Sequence, residues 1–271
     1  MKKVATYALL TVYLIVTLFP FLWIVTTSFK PDAEVLTPTF FGRFTPVWDN
    51  YRALFSNPRF IARLANSFVI SLAAVAITVP IGSLAGYAFA RFPLRNKDNW
   101  FFMILTTRMA PPVAFGVPFY LLMVRGNLID RHIGLIAIYV FMSLAFCIWL
   151  TRGFFEEIPL EIEESARVDG CSRFTSFLRI TLPLASGGIV TTAILIFIVT
   201  WNEFFFASIL TRNTAATYTV HLTTYFGSRR IEWGQLSAAS TVVGAIPIVF
   251  AVLARKYLVR GFSLGAVKQT K

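Results

Sequence analysis

The chain has 271 residues, 56% of them hydrophobic and only 14% charged, with a formal net charge of +12 and a mean hydropathy of +0.68. A charged fraction so far below the usual quarter excludes a soluble globular domain of this length. The basic balance needs no nucleic-acid partner, because the lysines and arginines fall where a membrane protein places them, as counted below.

From the N-terminus, Lys2 and Lys3 precede the charge-free run Val4–Phe29. The run is too long for a cleaved signal and no small-x-small site precedes Lys30, so it reads as a retained helix. The segment Lys30–Arg63 is rich in prolines and aromatic residues (Pro31, Pro38, Pro46, Pro58, Trp48, Tyr51) and predicts short amphipathic pieces at the membrane surface. Further charge-free runs follow at Leu64–Ala90, His132–Thr151, Ile180–Asn202 and Trp233–Ala254, each meeting the roughly 20 residues that a helix needs to cross the hydrocarbon. Within the second run, Gly82-x3-Gly86 suits close helix packing. A sixth stretch, Trp100–Val124, is long enough but holds Arg108 and Pro111, Pro112 and Pro118, which predict a kinked or broken helix.

The pattern predicts an all-α polytopic membrane protein, one transmembrane domain over 1–271, with six helices at about 4–29, 64–90, 100–124, 132–151, 180–206 and 233–254. A cytoplasmic loop covers 152–183 and a cytoplasmic tail 255–271. With both termini inside, the inner segments hold 14 of the 25 lysines and arginines and the outer segments ten, the sign that the positive-inside rule requires.

The loop 152–183 is unlike the rest. Six of the thirteen acidic residues lie between Glu156 and Asp169. Ile158, Ile162 and Ala166 recur every four residues and predict an apolar stripe on a short helix that opens near Pro159, with acids on the remaining face. Gly170 is placed to end that helix in a left-handed conformation, and Ser172 to cap a second one through Phe174, Phe177 and Ile180, limited by Pro183. The result is a rigid acidic element suited to docking on another protein.

Other residues keep two readings. An arginine at mid-depth costs ~2.5–3.5 kcal/mol on insertion scales, so Arg108 either lines a path or gate, or caps carbonyls freed by the prolines. Trp201, Asn202 and Glu203 at the outer end of the fifth helix either line the outward cavity or mark the water boundary. Cys147 and Cys171 fall in a helix and a cytoplasmic loop, which excludes a disulfide, and His132 and His221 lie on different outer loops, so no metal site is expected. No G-x-x-x-x-G-K-[ST], H-E-x-x-H or G-x-S-x-G occurs, and no carboxylate pair lies within the membrane. The chain therefore needs energy from outside itself.

The stretch Glu164-Ser165-Ala166, Asp169-Gly170, Phe177, Ile180 and Leu182-Pro183-Leu184 resembles the EAA signature of ATP-binding-cassette importer permeases. Ser165 stands where the second alanine is usual, and Gly187 where a proline commonly follows. The resemblance implies that the loop is a coupling helix seated in the ATPase subunit, through Glu161, Glu164, Ser165, Ala166, Asp169, Gly170 and Cys171. The stretches Thr200-Trp201-Asn202-Glu203-Phe204 and Tyr257–Lys268 resemble the carbohydrate-uptake, MalG-like branch. That likeness implies a tail contact to the ATPase through Gly261, Gly265 and Lys268, where a lipid anchor is the plain alternative. It also implies an outer loop, about 212–232, that meets an extracytoplasmic solute-binding protein through Tyr218, His221, Tyr225 and Trp233. The implied partners are an ATPase dimer, a second permease, the binding protein and a sugar, in the cytoplasmic membrane of a bacterium or archaeon. ATP and magnesium would sit on the ATPase, and this chain would hold no cofactor and catalyse nothing. Another solute of the same importer class, such as a glycerol phosphate or polyamine, a membrane scaffold and a self-sufficient secondary carrier are the alternatives.

Overall fold

The computed structural model describes residues 2–39, 43–227 and 231–266, as backbone alone at residue 2 and beyond residue 252. In chain order, α1 (Lys2–Ser28) is free of charge beyond Lys3 and leads to the short α2 (Asp49–Phe55) and the long α3 (Pro58–Arg91). Then come α4 (Lys97–Thr106), α5 (Pro112–Arg125) and α6 (His132–Glu156). The acidic loop forms α7 (Leu160–Val168) and α8 (Arg173–Ser176), a π-helical turn over Phe177–Thr181, and α9 (Leu182–Leu184). Beyond it lie α10 (Ser186–Trp201), α11 (Phe205–Leu210), α12 (Tyr218–Leu222) and α13 (Trp233–Ala266).

Four helices among the described residues are long and apolar enough to cross a bilayer: α1, α3, α6 and α13, the last through Val252. The two remaining expected spans are broken, each for a local reason. In the stretch 100–124, the hydroxyls of Thr106 and Thr107 bond back to the carbonyls of Met103 and Ile104, at 2.7 and 2.6 Å. Pro111 then turns extended (ψ 136°) and Pro112 opens α5, a position where the missing N–H of proline costs nothing. The halves, 10 and 14 residues, are each shorter than a straight span requires. In the stretch 180–206, residues Arg173–Leu184 and Ser186–Trp201 meet at a 76° bend. The expected end of the last helix near 254 is also passed: α13 runs on to Ala266, because arginine, lysine and leucine continue a helix well once it has left the membrane.

The chain divides into two compact units, Met1–Ala65 with Thr217–Ile246 and Asn66–Ala216 with Pro247–Lys271. In the first, the aromatic outer segment folds around Lys30. Its ammonium is fully buried, donates to the Thr37 carbonyl at 2.6 Å and lies over the Trp23 ring at 4.7 Å. Asn50 donates to the carbonyls of Ser28 and Lys30 and so ties α2 to the end of α1.

The second unit is built on close helix crossings. A Cβ at Gly82 would run into Cys147, and one at Gly86 into Thr151, so α3 and α6 meet backbone to backbone. The Thr151 hydroxyl donates across the crossing to the Gly82 carbonyl at 3.1 Å. On the other side of α6, Gly188 of α10 lies against the ring of Phe154. Small residues let apolar helices approach where lipid gives no hydrophobic driving force.

Candidate functional site

The acidic loop forms a short helix held at both ends. Glu161 and Glu163 lie in the first turn of α7, where carboxylates favour the helix N-terminus. At its C-terminus the Cys171 N–H bonds to the Ala166 carbonyl at 3.0 Å and the Gly170 N–H to the Arg167 carbonyl at 3.1 Å. That pair of bonds is a Schellman closure, and it needs the left-handed backbone that Gly170 supplies at φ +91°. The Ser172 hydroxyl then accepts from the Thr175 N–H at 3.1 Å, capping α8 as its position in the sequence implies. Glu161, Glu164, Ser165, Asp169 and Gly170 all stand exposed on this element, with Val168 between them at 88% exposure. Ala166 is buried and Cys171 half-buried, so they shape the element from beneath.

The face toward the protein differs from the expected stripe. Ile162 is exposed and Glu163 is buried, so the inward face follows the three-residue step Glu163–Ala166. The Glu163 carboxylate accepts from Tyr87 Oη at 2.7 Å and from Arg91 Nε at 2.7 Å. Arg91 Nη2 also donates to the Ile158 carbonyl at 2.6 Å, just ahead of α7. Side-chain exposures of 10% for Arg91 and 6% for Glu163 mark a buried pair. Removing one member of such a pair typically costs about 3–5 kcal/mol, because the other charge is stranded. Tyr87, Phe155 and Phe177 pack around it with ring centroids 4.6 to 5.9 Å apart. The signal that could have found this pair is the spacing of Glu163 and Ala166 on an otherwise acidic helix. Its partner, 72 residues earlier, carries no mark of the pairing.

The broken span opens a cavity. Arg108, Tyr139, Ser143, Thr200 and Glu203 supply polar groups to an otherwise apolar pocket of about 240 Å³, walled by Met142, Val199 and Phe206. Arg108 donates to the Met142 carbonyl at 3.0 Å and stacks on Phe146, with the guanidinium 5.1 Å from the ring centroid. The Met142 carbonyl belongs to α6 and is not one that the prolines free, so Arg108 lines a cavity and bonds across to a neighbouring helix. Glu203 accepts from the amides of Phe206 and Ala207 and from Tyr139 Oη, at 2.9, 3.1 and 3.0 Å. Those amide bonds start α11 and explain why α10 stops at Trp201. Trp201 is buried against Phe68 and Phe197, and Asn202 bonds back to the Ile198 carbonyl at 2.8 Å; neither lines the cavity.

The outer residues fall in both units. In the first unit Tyr218, His221 and Tyr225 are buried, whereas Trp233 is 40% exposed. His221 lies between Phe60 and Tyr225, with ring centroids at 5.8 and 5.4 Å. Burial lowers its pKa, and the nearby Arg63 and Arg59 charges add to the effect. Burial raises the Tyr225 phenol to about 12, helped by Glu232. These three side chains hold the shape of the outer segment from inside. In the second unit, Asp130 is a residue that sequence reasoning missed. Its carboxylate accepts from the successive amides of Arg212, Asn213, Thr214 and Ala215, at 2.9 to 3.2 Å. Burial alone would raise its pKa, but the amides of Thr214, Arg212, Ala215 and Asn213 outweigh it and hold the carboxyl well below the usual range. Asn66 bonds the carbonyls of Thr214 and Ala216 and meets His132 Nε2 at 2.8 Å, which closes the latch.

Gly261 and Gly265 lie on the backbone of α13, and Lys268 is outside the described residues. No group of three or more metal-ligating side chains occurs among the described residues.

Comparison with known proteins gives these features a common setting. Residues 78–263 match the family model described as the binding-protein-dependent transport system inner membrane component. The sulfoquinovosyl glycerol transport system permease protein SmoH of Agrobacterium fabrum is 34% identical over 93% of this chain and 89% of its own length. The trehalose transport system permease protein SugB of Mycobacterium tuberculosis is 34% identical over 93% of this chain and 92% of its own. The fold matches a chain of a bacterial ABC transporter involved in the import of the acidic polysaccharide alginate, with a TM-score of 0.79, 23% identity and coverage of 94% and 95%. The scaffold and secondary-carrier readings fall away, and the chain belongs to the binding-protein-dependent transport system inner membrane component family, as a permease subunit of an ABC importer and a transport component rather than an enzyme.

Proposed function

We propose that this chain forms half of the pore of a sugar importer and pairs with a second permease subunit, two ATPase subunits and an extracytoplasmic solute-binding protein. The sugar class is supported by full-length relatives named for a sulfoquinovosyl glycerol and a trehalose system. Their two different cargoes support a glycoside class rather than one sugar. In this reading the chain crosses the membrane six times, twice through a broken helix, with both termini on the cytoplasmic side that the lysine and arginine distribution favours.

The observation that carries the reading is α7, a capped helix whose outward face presents Glu161, Glu164, Asp169 and an almost fully exposed Val168. Val168 is not alone: Leu160, Ile162 and Phe174 also stand exposed on the same acidic, Schellman-closed element, and apolar surface rimmed by charge suits a cleft in a partner. ATP and magnesium bind the partner ATPase, whose closure carries α7 inward. The membrane helices then pass from inward-open to outward-open, and the binding protein hands its sugar to the outward cavity. The free energy of ATP-bound closure must favour the outward-open pore over mismatched pairings. Arg108 and Glu203 line the cavity that the sugar crosses, and Trp233 is the exposed member of the outer set that meets the binding protein.

Glu164→Lys is the direct test. The variant is expected to insert in the membrane at wild-type level and to lose co-purification with the ATPase. A variant that keeps the ATPase bound and imports normally overturns the docking assignment.

A further inference from the structure

We propose that Arg91, Glu163 and Tyr87 form a rigid joint that makes the coupling helix α7 and the membrane helix α3 one lever, while the outgoing arm, the π-helical turn Phe177–Thr181, is the hinge. The proposal rests on the reading of α7 as the element that the ATPase moves.

The two sides of α7 are bonded differently. On the incoming side, Tyr87 and Arg91 lie four residues apart on one face of α3 and grip two points of the loop. These points are the Ile158 carbonyl and, five residues later, both carboxylate oxygens of Glu163. Two anchor points at either end of the first turn of α7 fix its direction as well as its place. Charge-assisted bonds of 2.6 to 2.7 Å are the strong, directional kind. A buried ion pair is often no more stabilising than an apolar replacement of the same volume, so packing alone gives no reason to keep three polar groups here. Fixing one orientation does.

The outgoing side has the opposite character. Its backbone takes the wider π pitch over Phe177–Thr181, with the Leu182 N–H reaching back to the Phe177 carbonyl. Proline 183 lacks the N–H that a regular helix would bond to Arg179, and the wider turn absorbs that loss. The hydroxyls of Ser176 and Thr181, at either edge of the turn, are buried without a hydrogen-bond partner. The 76° bend follows at once. An apolar cavity of about 360 Å³, lined by Phe174, Phe177, Leu178 and Leu182 on the arm and by Val79 and Leu84 on α3, leaves room for the arm to move against α3. A push on Glu164 or Asp169 therefore turns α7 and α3 together, and the π turn takes up the angle.

Two distances separate this from a purely structural ion pair. In the assembled transporter, with Cys147 and Cys171 replaced, spin labels are placed at Leu160 on α7 and Leu84 on α3, and in a second preparation at Leu160 and Leu178. Between the nucleotide-free and ATP-trapped states, the first distance is expected to stay constant and the second to shift. Glu163→Gln, with Tyr87→Phe as the milder variant, is expected to make the first distance nucleotide-dependent while ATP hydrolysis persists. The exchange Arg91→Glu with Glu163→Arg is expected to restore its constancy. The joint is overturned if the first distance already shifts in the wild type, or if Glu163→Gln leaves it constant. If neither distance responds to ATP and Glu164→Lys still binds the ATPase, the docking reading fails and the joint with it.

Discussion

Glu163 and Asp130 flank α6, one beyond its C-terminal end and one before its N-terminal end, and each pins a loop within the second unit by a carboxylate. They do so by different chemistry. Glu163 is matched to side chains, a guanidinium and a phenol, in a pair buried among aromatic rings. Asp130 is matched to four consecutive backbone amides and has no cation among its bonds. A side-chain pair is specific and brittle, because each partner is stranded when the other is lost. An amide cradle tolerates any residue but proline at 212–215, because the donors belong to the main chain, but it depends wholly on the negative charge that it holds. The Glu163 device suits transmission of force along one direction, and the Asp130 device suits a loop whose side chains can change without loss of the latch.

The largest effect should come from breaking the brittle device. Glu163→Ala leaves Arg91 buried and uncompensated and is expected to cost about 3–5 kcal/mol. The double replacement Arg91→Leu with Glu163→Leu should recover most of that stability without recovering import, if orientation rather than packing is what the pair provides. Thermal unfolding of the purified assembly, set beside import in vesicles, checks both. Equal stability loss in the single and double variants would show that shape alone matters at this joint.

Asp130→Asn should cost less, about 1.5–3 kcal/mol, the range for hydrogen bonds to a charged group. Hydrogen exchange at the amides of 212–215 is the local readout, and protection there should fall while that of α6 stays. The pH dependence has a definite sign. The folded carboxyl titrates below its unfolded value of 3.8, so the latch contributes fully at neutral pH. That contribution is lost as pH falls below the unfolded value toward the folded one. The Asn variant should show no such acid step. Amides 212–215 that stay protected in the Asn variant would mean that Asn66 alone holds the loop.

The same contrast explains what was legible in the sequence. Charge-free runs revealed the long helices, because hydrocarbon tolerates nothing else over that length. Gly170 and Ser172 were readable because a left-handed stop and an N-cap are local demands on one residue type each. Glu163 was read into the acidic face, since nothing near it in the chain announces Arg91. Asp130 was invisible for a deeper reason: its partners are main-chain N–H groups, which every residue but proline carries. The breaks at Pro111 and at the π turn were legible only as a warning from the prolines. Whether such a helix kinks, splits or widens depends on hydroxyls and carbonyls that bond back locally, as those of Thr106 and Thr107 do.

The smallest effect separates the two arms of α7. Ser172→Ala removes the single side-chain cap of α8, a loss of about 1 kcal/mol on typical N-cap values. The capped segment is only four residues long and runs straight into the π turn, so the loss falls on the arm that has to yield. If that arm is the hinge, loosening its first turn should lower the melting temperature slightly and leave import per ATP unchanged. Tyr87→Phe, which removes one charge-assisted bond of about 1.5–3 kcal/mol from the other arm, should lower import per ATP. A loss of coupling in Tyr87→Phe with none in Ser172→Ala would place the stiffness of the coupling element on its α3 side. Like consequences would mean that both arms carry the force.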